Sequence, residues 1–268
     1  MTKKRKISDI ILCVVLLVFV AAWIVGCNNT DISPPVPAGH HIEKDTSRIK
    51  LLNAQRSIVQ AKKVVVENLT NTHTIGYKRN LVRFMDSTTV VVSRDMSQGE
   101  LIRTNRNLDV AILGRGYIAV TDARGEILYT RCGTLMLNAE GELIQPNGYA
   151  LEPVIQVPSD SVQIHIGDDG AVNCTTSEGT CSMIGNIQLA VFDNAEALLS
   201  KGKSLHKETA ASGIPVKGTP GSEGLGEIKA GFIESSNVNE SEELRILEDL
   251  EIYESHVQKA IVLLRPHL

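Results

Sequence analysis

The sequence predicts a mainly β protein: an antiparallel β central domain with long N- and C-terminal α-helices forming a coiled-coil-like assembly region. Three observations predict it. Apolar residues recur at alternating three and four spacing near both ends of the 268-residue chain. The middle is built of short apolar runs. Between those runs stand Asn-Gly and Asp-Gly pairs, which favour tight hairpins because both turn residues tolerate positive φ.

Taken in order, the chain opens on a basic Met1–Lys6 and an uncharged, strongly apolar Ile10–Gly26, ending at Cys27. A positive start, an apolar centre and a small residue before a cut describe a secretory signal, and Ile24-Val25-Gly26-Cys27 resembles a lipoprotein signal-peptidase box with Cys27 as the lipidated residue. The apolar run is also near the lower limit for a membrane-spanning helix. A lipoprotein signal, an uncleaved anchor or plain signal, and a misassigned start are the readings of residues 1–27. Residues 28–46, with Pro34, Pro35 and Pro37, read as a flexible tether.

Residues 47–84 carry the first helix and its exit. Leu51, Ala54, Ile58, Ala61, Val65 and Asn68/Leu69 make one stripe. Asn68, Asn71 and Thr72 are expected to stop the helix, because short polar side chains compete for nearby backbone groups. Gly76 is expected to make a sharp exit. Read by periodicity alone, this is an ordinary amphipathic helix ending in a turn.

Residues 85–235 are Gly-rich and of short period. Val90–Val92, Val110–Leu113, Tyr117–Val120, Ile127–Thr130 and Ile187–Phe192 are the strand-like runs. Arg124-Gly125, Glu140-Gly141, Asn147-Gly148 and Asp169-Gly170 are the turn signals. A short helix is expected only near Asn194–Leu199. Residues 236–268 carry the last helix, with a seam at Leu247, Leu250, Tyr253, Val257, Ala260/Ile261 and Leu264. Asn239 or Ser241 suits its cap, Glu242 and Glu243 its positive end, and Pro266 its stop. Two terminal helices with apolar seams need a partner, either each other or copies of themselves.

Composition narrows the function classes. Hydrophobic content of 43% and charged content of 22% fit a globular chain. A net charge of −4 with no basic face, and 4% aromatics, argue against nucleic acid. Gly114-Arg115-Gly116 lacks the full glycine pattern of a nucleotide loop and no helix pattern follows it. The seven histidines have no motif partner, and Asp168-Asp169-Gly170 lacks the alternate carboxylates of a calcium loop. No Gly-x-Ser-x-Gly elbow occurs, and nothing assembles a nucleophile with its base. No catalytic residue, cofactor or metal is therefore expected. Cys174 and Cys181 are close enough to staple a small β loop in an oxidising compartment; two buried thiols is the equal alternative. Cys132 is expected to be unpaired.

The motifs add a resemblance. Asn68, Leu69, Asn71, Thr74, Gly76, Tyr77 and Lys78 stand where the N-terminal signature of bacterial flagellar rod and hook proteins carries the same residues. Thr104–Tyr117, Tyr129–Leu143, Gly148–Pro153, Lys207–Gly213, Gly218–Gly221 and Gly231–Asn239 follow in the family's order. The resemblance covers roughly residues 47 to 264, and within the family the distal rod branch is nearest. Ile233 stands where a Leu is usual and Cys132 where Asp is frequent. The resemblance implies a structural subunit of the basal body, on its periplasmic side, that assembles with itself and with other rod and hook proteins to transmit torque. It implies an assembly interface at Leu51, Ile58, Ala61, Val65, Leu69, Leu247, Leu250, Tyr253, Val257 and Leu264. Rod proteins of the family are exported without a cleaved signal, so the N-terminal segment departs from it. That segment favours an alternative: an envelope lipoprotein, tethered to the membrane, that binds a partner through a rod-protein fold.

Overall fold

Two long helices and eighteen short strands make up the computed structural model, which describes residues 39–202 and 204–264, with side chains from residue 46. The readings of residues 1–38, including the signal, the anchor and Cys27, lie outside these residues, as does Pro266. The chain forms two compact units. Of the described residues, 39–70, 80–93 and 239–264 belong to the first, and 71–79 and 94–238 to the second.

The first unit pairs α1 (Gly39–Thr70) with α2 (Glu240–Leu263) and adds the hairpin β1 (Asn80–Phe84) and β2 (Val90–Arg94), of which the last residue, Arg94, belongs to the second unit. α1 starts inside the stretch read as a tether, where no proline follows Pro37. Asn239 is the N-cap of α2: its side chain accepts from the Glu242 N–H at 3.0 Å, and Glu240, Glu242 and Glu243 fill the first turn. The core of this unit is the predicted seam. Ala54, Ile58, Ala61 and Val65 are buried against Leu250, Tyr253 and Val257. Val82, Phe84 and Val90 pack on the same cluster, which is why the hairpin, including the Val90–Val92 run that the sequence reading placed in the β-rich centre, belongs with the helices. The Phe84 and Tyr253 rings meet edge to face at 6.2 Å.

The second unit is antiparallel β throughout its described pairings. β5 (Tyr117–Thr121) and β6 (Ile127–Thr130) are central to the largest sheet. On the β6 side follow β15 (Leu205–Lys207) and β14 (Leu199–Gly202). On the other follow β9 (Ala150–Leu151), β8 (Leu143–Ile144) and β7 (Met136–Leu137). β13 (Leu189–Val191) pairs with β5 and with β16 (Val216–Gly218). A three-stranded sheet is formed by β10 (Ser161–Ile166), β11 (Ala171–Thr176) and β12 (Cys181–Asn186). Two ladders complete the unit: β3 (Leu101–Arg103) with β18 (Phe232–Glu234), and β4 (Val110–Leu113) with β17 (Glu227–Ala230). A single 3-10 turn, Ala195–Ala197, stands where the short helix was expected.

β5 shows why its sequence is a continuous apolar run and not an alternating one. Ile118 and Val120 enter one core with Val110, Ile112 and Leu128. Tyr117 and Ala119 enter another with Tyr129, Ala190 and Phe192. A strand covered on both faces has no polar side to show. The four turn signals all place their glycine at positive φ: +80° at Gly125, +83° at Gly141, +85° at Gly148 and +78° at Gly170.

Candidate assembly site

The helix pair is built from a stripe on α1 that recurs at three and four residues, so that Ala54, Ile58, Ala61 and Val65 fall on one face. α2 supplies Leu250, Tyr253 and Val257 to the same cluster. Leu51, Leu69 and Leu247 sit half-buried at its rim. Leu264, the residue after α2, is half-buried. Lys62 adds polar closure, with its Nζ 3.0 Å from Glu254 and 3.6 Å from the exposed Glu251; the Glu254 contact holds the Lys62 pKa up. The sequence left open whether the two seams meet each other or other copies. Here they meet each other. The central residues of both seams are thus buried against one another within one chain.

Asn68 departs from expectation. It lies in the last turn of α1 and is fully buried, so it does not stop the helix. Its amide donates to the Asn80 carbonyl at 2.8 Å and to Glu243 Oε2 at 3.1 Å, and its Oδ1 accepts from the Asn80 N–H at 2.9 Å. One side chain thus ties α1, β1 and α2 together. Asn71 opens the turn that follows: its carbonyl accepts from the Thr74 N–H at 3.1 Å and its side chain from the Thr74 hydroxyl at 3.0 Å.

Within the second unit, Gly76 and Lys78 of the motif converge on Glu234. Gly76, at φ +68°, donates its N–H to the Glu234 carbonyl at 2.8 Å. Lys78 Nζ lies 2.6 Å from Glu234 Oε1 and 2.6 Å from the Ser97 carbonyl. Arg131 holds Glu234 Oε2 from Nε at 2.7 Å and Nη2 at 2.6 Å, and gives its other donors to the carbonyls of Ile112, Gly114 and Gly116. Burial pushes the Lys78 pKa below its usual value, against the pull of Glu234. Asn237 completes the group by accepting from the Arg79 N–H at 2.7 Å and donating to the Asp95 and Ser97 carbonyls. Lys78 was singled out in the sequence by the motif. Arg131 and Glu234 were not, although both lie inside segments that carry the resemblance. A charged residue inside an apolar stretch was the available signal.

A cavity of about 130 Å³ adjoins this group and is lined by Gly114, Arg115, Tyr117, Met96 and Phe192 beside Lys78 and Arg131. The charge of both buried cations is directed to Glu234 and to backbone carbonyls, so the group acts as a structural node. Among the described residues there is no cluster of metal-ligating side chains, and no helix is long and apolar enough to cross a membrane.

Cys174 and Cys181 are not bridged. Cys174 pairs across the ladder with Ser182 and Cys181 with Thr175. Neighbouring ladder positions point to opposite faces, which leaves Cys174 buried and Cys181 exposed. Cys132 is a free, half-buried thiol whose pKa is raised by burial.

Comparison with known proteins identifies the family. The family model described as the flagellar hook protein FlgE/F/G D1 domain matches residues 111–174. The flagellar basal-body rod protein FlgG of Buchnera aphidicola subsp. Schizaphis graminum is 36% identical over 210 residues, covering 68% of this chain and 81% of the relative. FlgG of Bacillus subtilis is 29% identical over 67% of this chain and 80% of its own length. The flagellar hook protein FlgE of Escherichia coli is 39% identical over a shorter stretch, 32% of this chain and 22% of that protein. With a rod protein 36% identical over 68% of this chain and 81% of its own length, the chain belongs to the flagellar rod and hook protein family.

Proposed function

We propose that the chain is a structural subunit of the flagellar basal body that polymerises into the distal rod and passes torque toward the hook. The observation that carries this reading is the match to rod proteins over 81% of a relative's length. The architecture supports it. Two terminal segments pair into one unit, and the second unit is a β body braced by the Lys78–Glu234–Arg131 node. Stiffness in such a subunit comes from many packed contacts that have to yield together. Its partners are further copies and other rod and hook proteins, and its place is the periplasmic side of the basal body. The test is purification of basal bodies from the source cell and from a strain lacking the chain. Presence of the chain in the rod fraction, with loss of hooks and swimming in the deletion strain, is the expected result. Its absence from basal bodies of swimming cells would overturn the reading.

The N-terminal sequence favours a second reading, an envelope lipoprotein that binds a partner through a rod-protein fold. The basic start, the apolar Ile10–Gly26 and Cys27 support it. Mass spectrometry of the mature N-terminus separates the two. An acylated Cys27 found only in membranes selects the tethered module, whereas an unlipidated chain in basal bodies selects the axial subunit.

A further inference from the structure

The cavity beside the Glu234 node has two unlike sets of lining residues. Met96, Val191, Phe192 and Ala195 supply an apolar wall, at the edge of the core that holds Tyr117 and Tyr129. Lys78, Gln98, Arg115 and Arg131 supply polar side chains, and no carboxylate lines the cavity. Arg131 has no donor left: its five N–H groups go to Glu234 and to the carbonyls of Ile112, Gly114 and Gly116. Gln98 is engaged at both ends, by the Ile112 carbonyl and by the Gly114 N–H. Three groups remain. Lys78 uses two of its three N–H groups, on Ser97 and Glu234. The exposed Arg115 guanidinium has no partner among the described residues, although its backbone is pinned where its carbonyl accepts from the Gly226 N–H at 2.7 Å. The Tyr117 hydroxyl also has no hydrogen-bond partner among the described residues, on a side chain only 5% exposed.

The charge around the cavity is positive on balance. Lys78, Arg115 and Arg131 stand against one carboxylate, Glu234, which is not part of the lining. Arg94 and Asp95, further charges that act on Tyr117 and Lys78, are opposite in sign. Asp193 and Glu196 follow lining residues in sequence but are exposed and outside the lining, and the Asp193 carboxyl lies toward Gly213. Burial holds the Tyr117 pKa up at about 12, so its hydroxyl remains a donor at neutral pH. A buried hydroxyl without a partner, an unused ammonium N–H and a free guanidinium on one cavity are donors for an anion. The apolar wall asks that the anion carry a tail.

We propose that this cavity binds a short-chain monocarboxylate, with its carboxylate on Lys78, Tyr117 and Arg115 and its alkyl tail against Met96, Val191, Phe192 and Ala195. Size limits the ligand. An apolar cavity of about 150 Å³ holds benzene, so one of about 130 Å³ suits about six non-hydrogen atoms, as in butyrate. Inorganic phosphate would meet the donors and leave the apolar wall in water. The bound acid would tie the Gly114–Gly116 turn to the end of β13, where Val191 and Phe192 stand. The inference goes beyond the rod-subunit reading and does not depend on it, since all the lining residues belong to the second unit of one chain.

Titration of the full-length chain with butyrate, followed through backbone amide resonances, tests this. The amides of Arg115, Gly116, Tyr117 and Phe192 are expected to shift saturably, with a Kd on the order of 1 mM for so small a ligand. Affinity is expected to rise about fourfold for each CH₂ added from acetate to butyrate. It is expected to fall again at hexanoate, which outgrows the cavity. Butyramide has the shape without the charge and is expected to leave these amides unmoved. Inorganic phosphate is expected to bind about tenfold more weakly than butyrate, for want of a tail. Arg115→Gln and Tyr117→Phe each remove a bond to the carboxylate and are expected to weaken butyrate about tenfold. Arg115 is exposed, so Arg115→Gln tests the site even if Tyr117→Phe disturbs the core. Equal shifts with butyramide, phosphate as tight as butyrate, no gain along the chain-length series, or unchanged affinity in Arg115→Gln would each overturn the proposal. So would the absence of shifts at these four amides. The rod reading is decided separately, by whether the chain is found in basal bodies, and neither result bears on the other.

Discussion

Lys78 Nζ and Glu234 Oε1 stand 2.6 Å apart with both side chains almost wholly out of solvent, and the other oxygen of Glu234 is held by Arg131. A carboxylate shared by two buried cations is the weak point of the second unit. Glu234→Gln leaves Lys78 and Arg131 buried without a counter-ion. Breaking such a group by removing one partner costs about 3–5 kcal/mol. Urea unfolding is expected to show that loss. Lys78→Met, which leaves Arg131 paired with Glu234, is expected to cost less. Equal stability of wild type and Glu234→Gln would show that the node adds nothing.

Gly76 is constrained twice. Its φ of +68° is one that side chains rarely adopt, and a Cβ there would lie 2.7 Å from the backbone of Arg131 and of Cys132. Backbone cannot swing away as a side-chain tip would. Gly76→Ala is expected to destabilise by more than the roughly 1 kcal/mol that a positive φ alone costs. Gly125→Ala is the control, since it has positive φ and open space around it. A comparison of their unfolding midpoints checks this, with Gly76→Ala the lower.

Much of this architecture could be read from the sequence, and the parts that could not share a physical cause. The buried stripe of α1 was legible because a helix repeats its faces at 3.6 residues, so Ile58, Ala61 and Val65 could be placed together without coordinates. The hairpin turns were legible because glycine after Asn, Asp, Glu or Arg marks a position for positive φ. What the seam touches was not legible, since periodicity gives a face and not its occupant. The Glu234 node was hidden because its three members are far apart in sequence. Lys78, Arg131 and Glu234 come together only in the folded chain, and the register and packing of distant segments are not written in any one of them. The Cys174–Cys181 reading failed for the same reason: short separation permits a bridge, and register forbids it.

Ile58 and Val59 are adjacent in sequence and opposite in consequence. Ile58→Asp places a charge in the seam beside Leu250 and Val257 and is expected to cost about 3–5 kcal/mol, enough to undo the helix pair. Val59→Asp is expected to change the stability of the isolated chain by no more than about 0.5 kcal/mol. Hydrogen exchange is the measurement that separates them. Amides of α1 and α2 should lose protection in Ile58→Asp, while those of β5 and β6 keep theirs. Loss of protection across both units in Ile58→Asp, or in Val59→Asp at all, would contradict the assignment of faces.

His206 gives the second unit an acid sensitivity of known sign. It is buried, neither ring nitrogen has a hydrogen-bond partner among the described residues, and its ring meets Tyr117 edge to face at 6.0 Å. Burial, reinforced by the charges of Arg94 and Lys78, pushes its pKa down to about 3 from the usual 6.5. The folded state therefore holds His206 neutral while the unfolded chain takes up a proton below pH 6.5. The unfolded state binds more protons between those two values, so stability is full above pH 6.5 and falls as the pH drops through the window. The slope approaches about 1.4 kcal/mol per pH unit for one group. His206→Phe keeps a ring against Tyr117 and removes the titration. Unfolding midpoints measured from pH 7 to pH 5 are expected to fall less steeply in this variant than in wild type. Parallel slopes in the two proteins would assign the acid sensitivity to other groups.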